Sequence, residues 1–421
     1  MSGIAGVCGF RRSPSLEEST LRAMLGAIRH RGPDRFGVYL DERVGLGQAH
    51  LGVPAPGGAR QPVANEDRSM WIVLEGDVYN HSELRRDLVA RGHRFHTASD
   101  AEVALHAYEQ YGADSLLRLN GQFALAVWDA RRRALFLARD RLGMRPLFYT
   151  ETDDALVFGS EIKALLACPG VTGTPDAAAL DQIFTFWSTL SPRTFFRGVL
   201  ELPPGHFMRA QDDRIEVTRY WEPTFPEESS VPSRPTRAYA EELRDLLVDA
   251  VRIRLRANVA VGAYLSGGLD SSLLAAIACS ETSGDLETFS IAFTGDDYDE
   301  SVFQVKMAQA LGTEHRVVRA THADIGRVFP KVVWHAETPL MRTAPAPMFL
   351  LSKLVRENRF QVVLSGEGAD EMFAGYDLFR EARIRRFWAE QPESTCRQAL
   401  FDRIYPWKSG SSSDFLKAFF G

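Results

Sequence analysis

Two short polar loops hold most of the residues able to do chemistry. The first, Ser266-Gly267-Gly268-Leu269-Asp270-Ser271-Ser272, lies between the apolar run NVAVGAYL and the helical pattern SSLLAAIA. Glycines at such a turn let the backbone approach an anion closely, and a following helix offers free N–H groups and a partial positive charge. Serine hydroxyls add donors to phosphate oxygens, and Asp270 supplies the kind of oxygen that Mg²⁺ takes. No Gly-Lys-Ser/Thr follows, so this is not a Walker A loop. Read alone, it is equally a glycine turn in which Asp270 and Ser271 cap a helix. The second loop, Ser365-Gly366-Glu367-Gly368-Ala369-Asp370-Glu371, follows another apolar stretch, QVVL. Its three carboxylates beside two glycines suit Mg²⁺ binding and proton transfer, or else a solvated acidic turn.

Both loops need parallel strands behind them. Beyond the middle of the chain, helical patterns at 239–256, 270–279, 301–311 and 348–357 alternate with strand patterns at 258–265, 286–293, 315–319 and 360–364. That alternation predicts an α/β parallel sheet with the two loops at the carboxyl ends of strands, where ligands bind. The first half is β-rich, with short apolar stretches at 3–10, 37–39, 70–74, 123–128, 134–138 and 156–159 and helical patterns at 82–91 and 101–111. These predict helices packed on antiparallel sheets. Between the halves, residues 222–235 (EPTFPEESSVPSRP) hold four prolines, three serines and three glutamates in fourteen positions. Neither helix nor strand tolerates that composition, which reads as a linker. The expected domains are 1–221 and 236–421, joined by 222–235.

A chain of 421 residues has room for two to three domains of about 150 residues. Lys+Arg 49 against Asp+Glu 55 gives a net charge of −6, which argues against nucleic-acid binding through bulk charge. No apolar run reaches the ~18 residues of a membrane helix, and MSGIAGVCGF lacks the pattern of a signal peptide. Cys8, Cys168, Cys279 and Cys396 are scattered without a CxxC pair, which suggests neither a disulfide framework nor a zinc site. A cytoplasmic enzyme is the expectation, with no membrane and no nucleic-acid partner. His30, His81 and His106 read as satisfied structural histidines, and Phe184, Phe186 and Trp187 as core.

The first loop resembles the pyrophosphate loop of N-type ATP pyrophosphatases. With Phe289-Ser290-Ile291-Ala292-Phe293, Glu314-His315 and LSGEGADEMFAGY at 364–376, the second half resembles the synthetase domain of class B asparagine synthetases. The first half carries marks of the class II glutaminase domain: Arg29-His30-Arg31-Gly32-Pro33-Asp34, Tyr79-Asn80-His81, Ser99-Asp100-Ala101-Glu102-Val103, Asn120-Gly121-Gln122-Phe123-Ala124 and Arg139-Asp140-Arg141-Leu142-Gly143. The resemblance implies an α+β N-terminal-nucleophile sandwich (αββα) followed by an α/β ATP-pyrophosphatase domain. It implies an AMP-forming carbon–nitrogen ligase using ATP and Mg²⁺. Leu265 and Ile291 would contact adenosine, while Ser266, Gly267, Gly268, Ser271, Ser365 and Gly366 would surround the phosphates. Asp270 and Asp370 would hold the metal, and Glu367 would be the base for incoming nitrogen. Relatives that close a β-lactam ring carry Tyr where Glu367 stands, so glutamate favours joining separate molecules. In the segment 337–348, Thr343 stands where housekeeping asparagine synthetases carry Arg, which leaves the carboxylate substrate open.

The glutaminase half departs from the family at three positions. Ser2 replaces the nucleophilic cysteine, and a hydroxyl yields far less nucleophile to an amine base than a thiol does. The oxyanion-hole Asn-Gly-Glu appears as Glu75-Gly76-Asp77, placing a carboxylate where a donor worth about 3–4 kcal/mol belongs. His50 replaces the arginine that would grip the glutamine carboxylate. Asp100, the amino-group ligand, remains. Three changes together read as natural decay and not as one engineered Cys→Ser substitution. The expected enzyme adenylates aspartate or a related acid and takes nitrogen from ammonia or an amine, with glutamine use impaired. Two alternatives stand beside it: a conventional glutamine-hydrolysing asparagine synthase, and an inactive ATP-binding scaffold. The family's C-terminal Arg-x-Pro-Phe-Leu-Asp run and its lysine are not found. Lys408 and Lys417 are the late lysines, and Phe415, Phe419 and Phe420 near the chain's end suggest truncation, a shortened core, a second copy or a partner chain.

Overall fold

The computed structural model describes residues 2–9, 16–52, 60–227, 230, 232–256, 259–282, 284–294 and 299–404. Asn258, the first residue of the expected strand 258–265, residues 228, 229 and 231 of the expected linker, and the late lysines and phenylalanines fall outside the described residues. Among the described residues, twelve strands build the first half: β1 (Gly3–Gly9), β2 (Arg35–Leu40), β3 (Val44–His50), β4 (Val63–Ala64), β5 (Met70–Val78), β6 (Gly121–Asp129), β7 (Ala134–Arg139), β8 (Phe148–Glu151), β9 (Ala155–Gly159), β10 (Val199–Glu201), β11 (His206–Gln211) and β12 (Arg214–Arg219). They form two six-stranded sheets, ordered β10-β8-β9-β1-β3-β2 and β12-β11-β7-β6-β5-β4. All their pairings are antiparallel.

The sheets stack face to face. Ile4, Cys8, Val44, Leu46 and Phe158 of one meet Val73, Ala126, Trp128, Leu137 and Met208 of the other in a single buried cluster. The helices Glu18–Ala27 and Ile162–Leu166 cover the first sheet's outer face through Leu21, Met24, Leu25 and Leu165. The helix Asp100–Tyr111 covers the second sheet through Ala101, Ala104, Leu105 and Tyr108. The result is an αββα sandwich. With both faces covered, β1 is buried along its entire length and shows no polar alternation.

The second half holds β13 (Val261–Tyr264), β14 (Glu287–Phe293), β15 (Glu314–Ala320) and β16 (Val362–Leu364) in one parallel sheet ordered β15-β14-β13-β16. Helices Thr236–Leu255 and Leu269–Glu281 pack on it through Val251, Ala275 and Ala278, and helix Pro345–Glu357 packs on Phe289 through Leu351 and Val355. The helix His322–Ala336 was not apparent from the sequence, because Gly326 and Pro330 interrupt its pattern. A capping box between Thr321 and Asp324 nonetheless starts it.

The aromatic group expected in the core is on the surface: Phe184, Phe186 and Trp187 are 65%, 57% and 60% exposed. The helix Ala177–Phe186 buries only Ala179 and Ile183, four positions apart, so the phenylalanines project off its buried stripe. Trp187 ends the helix in a left-handed conformation, and the Arg342 guanidinium lies 5.1 Å from its ring centre.

Candidate active site

Strand order decides where ligands can bind in the second half. From β13 the chain moves outward through β14 and β15, then returns to the other side of β13 to form β16. The crevice at the carboxyl ends of β13 and β16 is therefore the switch point of the sheet. The loop 266–268 leaves β13 there, and 365–368 leaves β16. The structure thus brings the two loops singled out by sequence together. A Cβ on Gly366 would lie 3.1 Å from Ser271 N and 3.3 Å from Asp270 Cβ, so the loops touch.

Inside the first loop, the Ser266 and Ser271 hydroxyls are 2.8 Å apart, and Ser271 Oγ accepts from Ser266 N–H at 3.1 Å. Gly268 N–H donates to Ser266 Oγ at 3.1 Å. These bonds curl the turn beneath the helix Leu269–Glu281. Gly267 has φ +86°, and a Cβ there would sit 2.7 Å from Phe303 Cβ and 2.9 Å from Gln304 N. Leu265 is buried in the strand pairing, its N–H donating to Phe289 O at 3.0 Å. Ile291 O accepts from Gln304 Nε2 at 3.0 Å, whereas the buried Gln304 Oε1 has no partner. In the second loop Glu367 N–H donates to Ser365 Oγ at 3.1 Å, and Glu367 itself is exposed. A Cβ on Gly375 would fall 1.9 Å from Asp370 Oδ1, so that glycine gives the Asp370 carboxylate its room. No hydrogen bond or ion pair engages the Asp270, Asp370 or Glu367 carboxylates among the described residues. A polyphosphate with Mg²⁺ fits such a set: a glycine cradle, hydroxyl and helix N–H donors, and free carboxylate oxygens.

Of the positions expected in the glutaminase site, Ser2 and Glu75 both contact Arg31, which sequence reasoning saw only as part of a motif. Arg31 donates from Nε to Ser2 O at 3.3 Å and from Nη1 to Glu161 Oε1 at 3.0 Å, and it pairs with Glu75 through Nη2. Glu75 is fully buried, and its other oxygen accepts from the Ser160 hydroxyl. Ser2 Oγ accepts from Leu51 N–H at 3.2 Å, so the end of β3, next to His50, lies beside it. Burial, then the Arg35 charge, push the His50 imidazole below its ordinary range against Asp34. Gly76 takes φ +111° at the end of β5. Asp77 reaches Arg145 at 3.5 Å. Asp100 Oδ2 accepts from Val78 N–H at 2.9 Å; burial raises its carboxyl, with Asp77 adding to the rise. Cys8 is a core thiol of β1, pushed up to about 12 by burial and by Asp41.

A run of ion pairs leads from this pocket to the other half. Glu161 meets Arg31, His30 Nε2 at 2.9 Å and Lys163 Nζ at 2.5 Å, and Lys163 reaches Glu337 at 2.8 Å. Glu337 also accepts from the Ile162 and Lys163 N–H groups at 2.6 and 2.7 Å. His30 packs edge-on against Trp334 and His335. Glu337 opens the segment expected to bind substrate, yet its carboxylate is committed to the first half. Burial opposes ionisation of Glu161, but hydrogen bonds from His30 and Lys163 and the charges of Arg31 and Lys163 overcome it and lower its carboxyl from 4.5 to about 2. Its stabilising contribution is therefore complete above pH 4.5 and is lost as pH falls towards 2. Glu161→Gln is expected to cost about 3 kcal/mol of unfolding free energy at neutral pH, shrinking through that acid window. Urea unfolding of both proteins from pH 7 to 2.5 checks this; a difference that does not vary with pH contradicts it.

Comparison with known proteins agrees with both halves. Residues 1–221 match the glutamine amidotransferase domain, and residues 242–417 match the asparagine synthase domain. The chain belongs to the glutamine amidotransferase domain family through its first half and carries an asparagine synthase domain in its second. Asparagine synthetase [glutamine-hydrolyzing] 1 of Bacillus subtilis is 34% identical over 90% of this chain and 60% of its own length. Asparagine synthetase 3 of the same organism is 36% identical over 91% and 64%. Amidase chyE of Penicillium rubens is 33% identical over 86% and 55%. This chain thus spans a little under two thirds of the curated relatives it matches. Among the described residues no helix is long and apolar enough to cross a membrane.

Proposed function

We propose that this protein is an ATP-dependent, AMP-forming carbon–nitrogen ligase that activates a carboxylate, aspartate or a related acid, and couples it to ammonia or a small amine. One observation carries the reading: two Ser-Gly loops with uncommitted carboxylates meet at the switch point of a parallel sheet. The chain divides at 222–235, with 1–221 acting as a glutaminase-derived scaffold and 236–421 as the ligase unit.

The turn amides and the hydroxyls of Ser266, Ser271 and Ser365 hold the phosphates, with Gly267, Gly268 and Gly366 allowing close approach. The backbone at Leu265 and Ile291 frames the adenosine. Asp270 and Asp370 would hold Mg²⁺, which when bound would supply positive charge against the pyrophosphate. A carboxylate oxygen of the acid bonds to the α-phosphorus as the bond to pyrophosphate breaks. The nitrogen lone pair then attacks the acyl carbon, AMP departs, and Glu367 accepts the proton that nitrogen loses. Binding and orientation by these groups supply most of the acceleration.

The amidase-named relative supports amide chemistry beyond asparagine. The glutamine-hydrolysing names of the Bacillus relatives, together with the retained Asp100, favour as a second reading a conventional synthase fed by glutamine. Carboxylate-dependent exchange of labelled pyrophosphate into ATP, over aspartate and related acids, tests the proposal. Exchange with at least one acid is expected. Nucleotide binding without exchange for any acid would leave only the scaffold reading.

A further inference from the structure

We propose that Glu66, His93, His106 and Glu109 form a site for one divalent transition-metal ion, zinc by ligand type, on the outer helical layer of the first half. None of these residues belongs to the ligase or glutaminase positions. Each offers one ligand atom, and the four atoms lie within 4.8 Å of one another. His93 Nδ1 is 3.6 Å from Glu66 Oε1 and 3.7 Å from Glu109 Oε2. His106 Nδ1 is 3.7 Å from Glu66 Oε2 and 3.3 Å from Glu109 Oε2. Only the His106–Glu109 contact falls within hydrogen-bond range, and at 3.3 Å it is longer than a charge-assisted hydrogen bond of about 2.7–2.9 Å. Donors around a tetrahedral zinc, each about 2.0–2.2 Å from the ion, stand roughly 3.3–3.6 Å apart.

Three of the four residues make further polar contacts of the kind that orient metal ligands. His93 Nε2 meets Gln110 Oε1 at 3.1 Å. Glu66 Oε1 accepts from Arg94 N–H at 2.8 Å, and Glu109 Oε1 accepts from Asn65 Nδ2 at 3.1 Å. The wholly buried His106 turns Nε2 towards Glu102 at 3.8 Å, where it has no hydrogen-bond partner. Glu102, also fully buried, is held by the N–H groups of His96 and Thr97 at 2.6 and 2.7 Å. The two carboxylates of the cluster, Glu66 and Glu109, carry the charge that one dication would neutralise beside two neutral imidazoles. Two imidazole nitrogens with two carboxylate oxygens match zinc, and four protein donors make a closed structural site. His106, expected to be a satisfied structural histidine, becomes a ligand. The ion would tie the turn between β4 and β5 and the segment around His93 to the helix Asp100–Tyr111.

The full chain, stripped with a chelator and titrated with Zn²⁺, tests this, with Co²⁺ as the spectroscopic probe. One equivalent is expected to bind, to raise Tm by about 5 °C at saturation, and with cobalt to give intense visible bands of tetrahedral coordination. His93→Gln and the partly exposed Glu66→Gln are each expected to weaken binding at least ~10-fold, while His206→Gln, outside the cluster, binds normally. Unaltered zinc affinity in both cluster variants, octahedral cobalt spectra, or no change in Tm on saturation overturns the proposal.

Discussion

Gly267→Ala is expected to reduce carboxylate-dependent ATP–pyrophosphate exchange at least ~100-fold, the scale of a displacement of about 1 Å at a reacting centre. Gly267 has φ +86°, and an added methyl would meet Phe303 Cβ at 2.7 Å and the Gln304 backbone at 2.9 Å. Neither neighbour is the end of a flexible side chain, so the loop itself must move. That motion breaks the contacts among Ser266, Gly268 and Ser271 that shape the turn. Gly284→Ala separates backbone strain from this crowding, because Gly284 has φ +89° and a Cβ there would have no atom within 4 Å. Both variants carry a conformational cost of about 1 kcal/mol, yet only Gly267→Ala should lose exchange. Equal exchange rates in the two would refute the role given to the first loop.

Given glutamine alone, the protein is expected to release glutamate at background, and Ser2→Cys is expected not to change that. Restoring the thiol leaves Glu75 where the family places an oxyanion donor, and a missing donor costs about 10²–10³ in rate. Glu75 is not free to turn aside, since Arg31 and Ser160 hold its two oxygens inside the sandwich. His50 adds a second deficit, because burial and Arg35 depress its protonation and remove the cation that would grip a carboxylate. Glutamate release from the unaltered protein at rates matching its ligase turnover would reject this account in favour of a conventional synthase. Ser2→Cys combined with Glu75→Asn should outpace Ser2→Cys alone if the lost donor is the main obstacle.

Much of the architecture was legible because local pattern and tertiary demand coincide. The helix read at 301–311 is Ser301–Leu311, and the strand read at 286–293 is Glu287–Phe293. Strand β3 was illegible for a reason visible in its contacts. Gly45 and Gly47 give it almost no apolar signal, yet they are what let the helix Glu18–Ala27 sit close, with a Cβ at either position falling 2.5 and 2.9 Å from Leu21 and Leu25. The two Ser-Gly loops could be read because their glycines and carboxylates mark them in the sequence itself. The role of Arg31 could not, since it depends on Glu75, Glu161 and Ser2 converging from distant strands. The histidine–glutamate cluster escaped for the same reason, being assembled from a turn, a helix-end segment and one helix face.

The sequence of pairs from Glu75 through Arg31, Glu161 and Lys163 to Glu337 gives the first half a structural task apart from any chemistry. Excising the sandwich would leave Glu337 facing solvent with none of its three donors, and the left-handed residue ending the helix His322–Ala336 would lose its anchor. Under the proposed loss of glutamine hydrolysis, the sandwich would still serve as masonry, its charges forming the footing on which the neighbouring domain rests.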